Sequence, residues 1–296
     1  MPLTPLTRAD VPVQLYDATY QRFELDARRS VRLETYGEDF GQNGWLTAGE
    51  WRAALDRLEL TSDSRVLDVA CGSGGPDIHL ARTTGAAVVG VDINTHAIAA
   101  AREHARRAGV VGLATFAQAD AARALPFEDG SFDAVVCIDA INHLPDRPRV
   151  LRDWQRLLRP GGRILFSDPA VVTGLVSSDE LALCASIGHF VFSAHGENVR
   201  LIRRAGLKLV RCEDTTGSIV RVARRWRQAR ARHRVELLAD EGEETFTGLQ
   251  RYLAAVEDLA HQHRLSRHTL IARATPLNTA TCSADTAPTA PGRPSG

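Results

Sequence analysis

Lysine is almost missing from this 296-residue chain: Lys208 is the only one, and arginine supplies the rest of its 36 basic residues. That bias reads as genomic base composition rather than chemistry. Net charge is missing too, because 36 acidic residues balance the basic ones. No global field therefore draws the chain to nucleic acid or to an acidic membrane. No apolar run approaches the roughly 18 residues of a membrane span. The opening MPLTPLTRAD has no basic start followed by an apolar core, so no secretory leader is expected. Five cysteines (Cys71, Cys137, Cys184, Cys212 and Cys282) form no C-x-x-C pair and are odd in number. A disulfide framework, a zinc site and a redox pair are thereby disfavoured; no metal is expected, and the expectation is a reduced, cytoplasmic protein. No internal repeat is visible. The length allows a large core, as one elaborated domain or two small ones.

What is present concentrates in one run, VLDVACGSGG, Val66 to Gly75. A short apolar strand carrying Asp68 passes into Gly72, Gly74 and Gly75, and a helix-compatible segment, Pro76 to Thr84, follows. Proline is acceptable in a first helical turn. Glycine lacks a Cβ, so the turn lets a ligand approach the backbone, and Asp68 brings a negative charge towards a cation. A dinucleotide fingerprint needs G-x-G-x-x-G, and Gly72-Ser73-Gly74-Gly75-Pro76-Asp77 supplies only its first half. A second strand, VVGVDIN (Val88 to Asn94), ends in Asp92, which lies 24 positions after Asp68. A carboxylate about 20 residues beyond such a loop can accept both ribose hydroxyls of an adenosine group. The competing role for Asp92 is a cap on a helix starting near Asn94-Thr95. A third strand, ATFAQADA, reaches Asp120. Asp129-Gly130 then turns into a buried strand, Phe132 to Ile138. An amphipathic helix, Arg147 to Leu158, puts Val150, Leu151, Trp154, Leu157 and Leu158 on one face. A Pro160-Gly161-Gly162 turn leads into the strand Arg163 to Ser167.

These five signals, in this order over about 100 residues, resemble the class I S-adenosylmethionine-dependent methyltransferases. Their first motif is acid-x-Gly-x-Gly-x-Gly, with Ala70 here in place of the first glycine. The resemblance implies a Rossmann-like α/β fold, a seven-stranded mixed sheet with helices on both faces, and S-adenosyl-L-methionine as cofactor. It implies a cofactor set of Gln42, Asp68, Ala70, Gly72, Gly74, Asp92, Ile93, Asp120, Ala121 and Ile138. Within that set Asp92 would hold the ribose and Asp120 the adenine amino group. YGEDFG before the core and DAINHLPDR after the fourth strand are similar to runs of the small-molecule amine methyltransferases, the glycine/sarcosine/dimethylglycine and phosphoethanolamine enzymes. On that likeness His143 acts in catalysis with an N-terminal tyrosine, for which Tyr16 and Tyr20 are candidates, and Asp139 contacts substrate. Pro169 replaces a tyrosine of the phosphoethanolamine group, which speaks against a choline-type substrate. The Asn/Asp-Pro-Pro-aromatic run of the nucleic-acid amino methylases is absent, since Asp139-Ala140-Ile141-Asn142 stands there.

The expected function is methylation of a small molecule on nitrogen or oxygen, in secondary metabolism, with His143 either as base or as a helix-start residue bonded to a backbone carbonyl, and Asp139 holding a substrate cation or orienting a hydroxyl. The alternatives are a non-catalytic cofactor-binding regulator or an osmolyte/phosphobase N-methyltransferase. The acceptor and the oligomeric state stay open. In organisation, residues 1–60 read as a helical cap segment, loose up to residue 12 and broken at YGEDFGQNGW, where Gln42 is expected over the methionine end of the cofactor. Residues 61–276 read as the methyltransferase domain, with final strands Leu207 to Thr215 and Arg264 to Ala274 around a helical insertion at 216–263. The tail 277–296 is expected to be disordered. The basic run Arg221 to Arg234 reads as a helix with a solvated arginine face and Trp226 turned inward.

Overall fold

The structure is a computed structural model that describes residues 14–275, so the expectations for residues 1–12 and for the tail lie outside the described residues. The chain opens with α1 (Gln14–Gln21), α2 (Asp26–Tyr36) and α3 (Ala48–Leu58). The α/β core follows as β1 (Arg65–Val69), α4 (Gly75–Thr84), β2 (Ala87–Asp92), α5 (Thr95–Arg107), β3 (Ala114–Gln118), β4 (Phe132–Cys137), a 3-10 turn at Ile141–His143, α6 (Arg147–Leu157) and β5 (Leu158–Val172). Then come α7 (Ser178–Cys184), β6 (Ser193–Ala194), α8 (Glu197–Arg204), β7 (Leu207–Asp214), α9 (Thr216–Arg232), α10 (Arg234–His261) and β8 (Leu265–Ala274).

Seven strands lie in the order β3-β2-β1-β4-β5-β8-β7, and the two-residue β6 adds an eighth beside β5. β1 to β5 run parallel, while β8 is antiparallel to both of its neighbours. Alternation along the strands supplies both faces: Leu67 and Val69 enter one apolar cluster with Trp154 and Phe166, and Val66 enters the other with Trp51 and Leu80. The Pro160-Gly161-Gly162 turn lies inside β5, as an irregularity in its pairing with β4: Phe132 faces Leu158, and Ala134 faces Arg163.

Helix starts follow the capping chemistry of the sequence. Thr47 and Glu50 form a reciprocal capping box on α3. Asn94, not Asp92, caps α5, its side chain accepting from His96 N at 2.9 Å and Ala97 N at 3.0 Å. The two helices of the insertion pack on the N-terminal helices, with Val31, Ala229, Leu237 and Phe246 in one cluster and Tyr36, Trp45, Val222, Tyr252 and Leu253 in another. α10 is interrupted at Gly242. The arginine run is not solvated throughout: Arg230 is 3% exposed, pairs with Glu241 and lies over the Phe246 ring. Burial of that aromatic stem and of Glu241 carried the arginine inward, which a charge run read by itself does not show. No helix among the described residues is long and apolar enough to cross a membrane.

Candidate active site

β1 has β2 on one side and β4 on the other, so the chain order reverses there, and ligands of open α/β sheets bind at the carboxyl ends beside such a switch. The glycine loop leaves β1 at this point. Ala70 N and Cys71 N both donate to Val91 O, at 2.8 and 3.1 Å, and hold the loop to β2. Ala70, standing where the family has glycine, adopts φ +62°, a left-handed conformation that costs an L-residue about 1–2 kcal/mol. At Gly75 glycine is obligatory, because a Cβ would overlap the carbonyl oxygen of Phe40. That close approach clamps the segment at 38–46 over the loop, and Ser73 Oγ donates to Gly41 O at 2.9 Å in support.

The cleft so formed is lined by Gly41, Gln42, Gly44, Asp68, Ala70, Gly72, Ile138 and Tyr20, among others. Asp68 Oδ1 is buried and accepts no hydrogen bond. Asp92 Oδ2 accepts from Gly72 N at 2.9 Å and its Oδ1 from Asn94 N at 2.8 Å, each leaving a lone pair for a further donor. Burial raises the Asp92 carboxyl above its ordinary value. Ile93, next along, is 57% exposed, an apolar side chain laid bare at the rim. Asp120 Oδ1 accepts from Ala122 N at 2.9 Å, and its carboxylate lies 3.4 Å from Arg123. Gln42 lines the cleft, yet its amide is spent on its own loop, accepting from Phe40 N at 2.6 Å and donating to Glu38 O at 3.1 Å. An orphaned buried carboxylate oxygen, a glycine cradle and two acidic strand ends fit an adenosyl cofactor carrying a cationic amino-acid arm.

Asn43, Gly44 and Asp139 also line a second, larger chamber of about 990 Å³, counted to its open mouth. α1, α2, α9 and α10 wall it with Tyr16, Trp226, Tyr252 and Leu253, and the segment before β6 adds Ile187 and Phe190. His143 stands at its base. Its Nδ1 lies 2.7 Å from His189 O, so this nitrogen carries the proton and donates, leaving Nε2 as a lone-pair acceptor. Tyr16 Oη is 3.4 Å from that Nε2; Tyr20 instead packs on Gly72 in the cofactor cleft. Burial lowers the His143 pKa, keeping the ring neutral near pH 7. Burial, with the Asp92 charge behind it, pushes the Tyr16 hydroxyl up to about 12, so it stays a donor. Asn142 Oδ1 is buried without a donor in the same wall.

The placement of Asp139 differs from the expected carboxylate open to a substrate cation. Its Oδ1 accepts from Arg267 Nε at 2.6 Å and Ser167 Oγ at 2.7 Å, and its Oδ2 from Trp45 N at 2.8 Å. Arg267 is 1% exposed, so the charge of Asp139 is compensated inside the protein. Arg28 is paired with Asp240 and Glu241, Arg32 with Asp39 and Arg230 with Glu241, so every arginine lining the chamber has a carboxylate partner. Sequence reasoning missed Arg267 and Asp77. The first lies in an alternating strand with Leu265 and Ile271, the second among Ile78, Leu80 and Ala81 on α4; a charge on an otherwise buried face was the available signal.

Fold and site together define an α/β protein with a nucleoside-cofactor cleft opening onto an apolar acceptor chamber. A family model described as a methyltransferase domain matches residues 67–166. The chain is 32% identical over 203 residues to 27-O-demethylrifamycin SV methyltransferase of Amycolatopsis mediterranei, covering 64% of this chain and 74% of that one. It is 37% identical over 167 residues to methyltransferase GfsG of Streptomyces halstedii, covering 54% and 59%. Against phosphoethanolamine N-methyltransferase of Triticum aestivum it is 30% identical over 235 residues, covering 78% of this chain and 45% of that enzyme, about half its length. The chain belongs to the class I S-adenosylmethionine-dependent methyltransferases.

Proposed function

We propose that this protein transfers a methyl group from S-adenosylmethionine to a hydroxyl of an uncharged, largely apolar small molecule of secondary-metabolite type. The observation that carries the reading is the charge balance of the chamber: Asp139 and all three lining arginines are paired internally, and the remaining wall is dominated by aromatic and aliphatic side chains. Nothing so paired holds a substrate ammonium or phosphate without giving up a buried partner, at a cost of several kcal/mol. The name of the Amycolatopsis relative agrees with such an acceptor, whereas the wheat relative is named for phosphoethanolamine.

When bound, the cofactor supplies an electrophilic methyl carbon open to in-line displacement. The chain's own part is to place and deprotonate the nucleophile. His143 Nε2 takes the hydroxyl proton; its Nδ1–H, held by the His189 carbonyl, fixes the tautomer and steadies the imidazolium that results. Tyr16 Oη and Asn142 Nδ2, each 3.4 Å from that Nε2, mark the place the acceptor hydroxyl would take on displacing them, and the bare Asn142 Oδ1 is placed to accept from a polar group of the acceptor. Asp139 anchors Trp45 and the turn carrying His143 rather than touching substrate. Asp92 and Asp120 would hold the ribose and adenine of the cofactor, with Ile93 and Ala121 beside them, and the 38–46 segment would lie towards its methionine end.

The experiment is incubation of the protein with methyl-labelled cofactor and a panel of hydroxylated polyketides, beside phosphoethanolamine, glycine and sarcosine, read by mass spectrometry. Label on a polyketide hydroxyl is expected. Turnover of phosphoethanolamine or of the amino acids would overturn the acceptor class, and cofactor binding without any product would favour a regulatory protein.

A further inference from the structure

Behind the cofactor cleft two carboxyl groups are buried against each other. Asp68 ends β1 and lines the cleft; Asp77, in the first turn of α4, is fully buried behind it and does not reach the cleft. Asp68 is paired in register with Gly90 of β2, and a Cβ on that glycine would lie 2.9 Å from Asp77 Oδ2, so the two side chains meet at one point of the sheet. Asp68 Oδ1 and both oxygens of Asp77 are buried and accept from no donor. Among the described residues no cation is bonded to either group. β2 contributes Asp92 and Gly90; β3 contributes the ring of Phe116; the loop and β4 contribute the neutral thiols Cys71 and Cys137. Two carboxylates this close in a dry site cannot both ionise cheaply, so a proton stays between them. Burial raises both groups above the ordinary carboxylate range, and the neighbouring Asp77 raises Asp68 further.

We propose that Asp77 sets the charge of the cofactor cleft: it shares one proton with Asp68 before the cofactor docks, and that proton leaves to solvent when the cationic sulfonium amino acid binds beside Asp68. One carboxyl O–H bond breaks, the electron pair stays on oxygen, and the proton passes to buffer. The incoming positive charge compensates the second carboxylate. A cation beside the pair stabilises its doubly ionised form, so the pKa of the shared proton falls on binding. Between the bound and unbound pKa values, binding therefore releases a proton and affinity rises with pH, by at most about tenfold per pH unit. Asp77 is in this sense a positioning residue that acts through Asp68. The inference rests on the cofactor cleft and is independent of the acceptor, so it stands or falls separately from the O-methylation reading.

The test is calorimetric titration of S-adenosylmethionine into the whole chain, from pH 6 to pH 9 (roughly the range where such raised carboxyls titrate), in buffers of different ionisation enthalpy. The expected result is release approaching one proton per cofactor and a Kd that tightens with pH. S-adenosylhomocysteine, with one positive charge fewer, should release less. In Asp77→Asn, which keeps a hydrogen-bond donor for Asp68, release should vanish and the Kd should become flat over that range. A binding enthalpy independent of buffer in the unaltered protein overturns the proposal, as does undiminished release in Asp77→Asn. Should that variant fail to fold, infrared difference spectra of the unaltered protein decide: a carboxylic-acid carbonyl band lost on cofactor binding supports the proposal, and an unchanged band overturns it.

Discussion

The cofactor cleft and the acceptor chamber share Asp139 and the 43–44 backbone, yet they are built in opposite ways. The cleft is made of backbone and strand-end carboxylates. Asp68, Asp92 and the glycine loop belong to two adjacent βα units; Asp68 lines the cleft with an unpartnered oxygen, and Asp92 holds the loop behind it through Gly72 N. The chamber is made of side chains from segments far apart in sequence, and its charges cancel before any ligand arrives. On the proposed function, the cleft is poised for one charged molecule, while the chamber would select by shape, burial and one proton acceptor. Substitutions in the two regions should separate: changes in the chamber should alter stability or turnover with cofactor affinity preserved, and changes in the cleft should do the reverse.

The largest effect should come from the ion pair beneath the chamber. Arg267→Met leaves Asp139 buried without its cation and also removes the partner of Glu50. Breaking such a pair from one side costs about 3–5 kcal/mol, which chemical denaturation would register as a shifted midpoint. Adding Asp139→Asn should restore part of the loss. If the single variant keeps full stability, the anchoring role of Asp139 fails and its carboxylate is again open to substrate.

Next in size is the base. His143→Ala should lower kcat by on the order of 10²-fold or more with the cofactor Kd within roughly twofold, as stopped assays and calorimetry would show. In the unaltered protein the rate needs the neutral ring, and burial lowers its pKa. The rate should therefore hold as pH falls past the ordinary histidine value and drop only below it. A wild-type rate in the variant would leave catalysis to positioning alone.

The cleft was largely legible in the sequence because its chemistry is local. Strand, glycine turn and helix adjoin in the chain, and the acid at each strand end needs only the strand order to reach the same edge of the sheet. Of the two readings of Asp92, the structure decides only the cap, which Asn94 takes while Asp92 accepts from the Gly72 amide; the ribose role is for Asp92→Ala to test. The chamber was legible only as single residues, His143, Asp139, Tyr16 and Trp226, and not as a shared wall. Choosing Tyr16 over Tyr20 depends on how α1 lies across the turn at Ile141–His143, two elements more than 100 residues apart. Arg267 and Arg230 defied the charge pattern for the same reason, since the carboxylates that draw them inward, Asp139 and Glu241, come from other elements.

Within the cleft, Asp92→Ala should weaken cofactor binding by at least about 1.5 kcal/mol, the lower range for hydrogen bonds to a charged acceptor. Part of this loss would come through the loop, because Gly72 N gives up its partner as well. Turnover at saturating cofactor should change far less, which separates this variant from His143→Ala. Calorimetry showing unchanged affinity in a folded protein would sink the ribose assignment.

The smallest effect expected is at Asp120. Its carboxylate already accepts from Ala122 N and lies beside the guanidinium of Arg123, whose side chain is 78% exposed. An exposed pair of that kind contributes about 0–1 kcal/mol, and a further hydrogen bond from a neutral adenine amino group adds about 1 kcal/mol in a partly solvated place. Asp120→Ala should thus weaken cofactor binding only about threefold to tenfold, and Asp120→Asn, which keeps a carbonyl acceptor, less still. An inosine analogue of the cofactor, lacking the amino group, sharpens the comparison. The unaltered protein should prefer the adenine form, and Asp120→Ala should bind the two almost equally. Equal loss of both forms on substitution would make Asp120 a turn residue and move adenine recognition to Ile93 and the loop backbone.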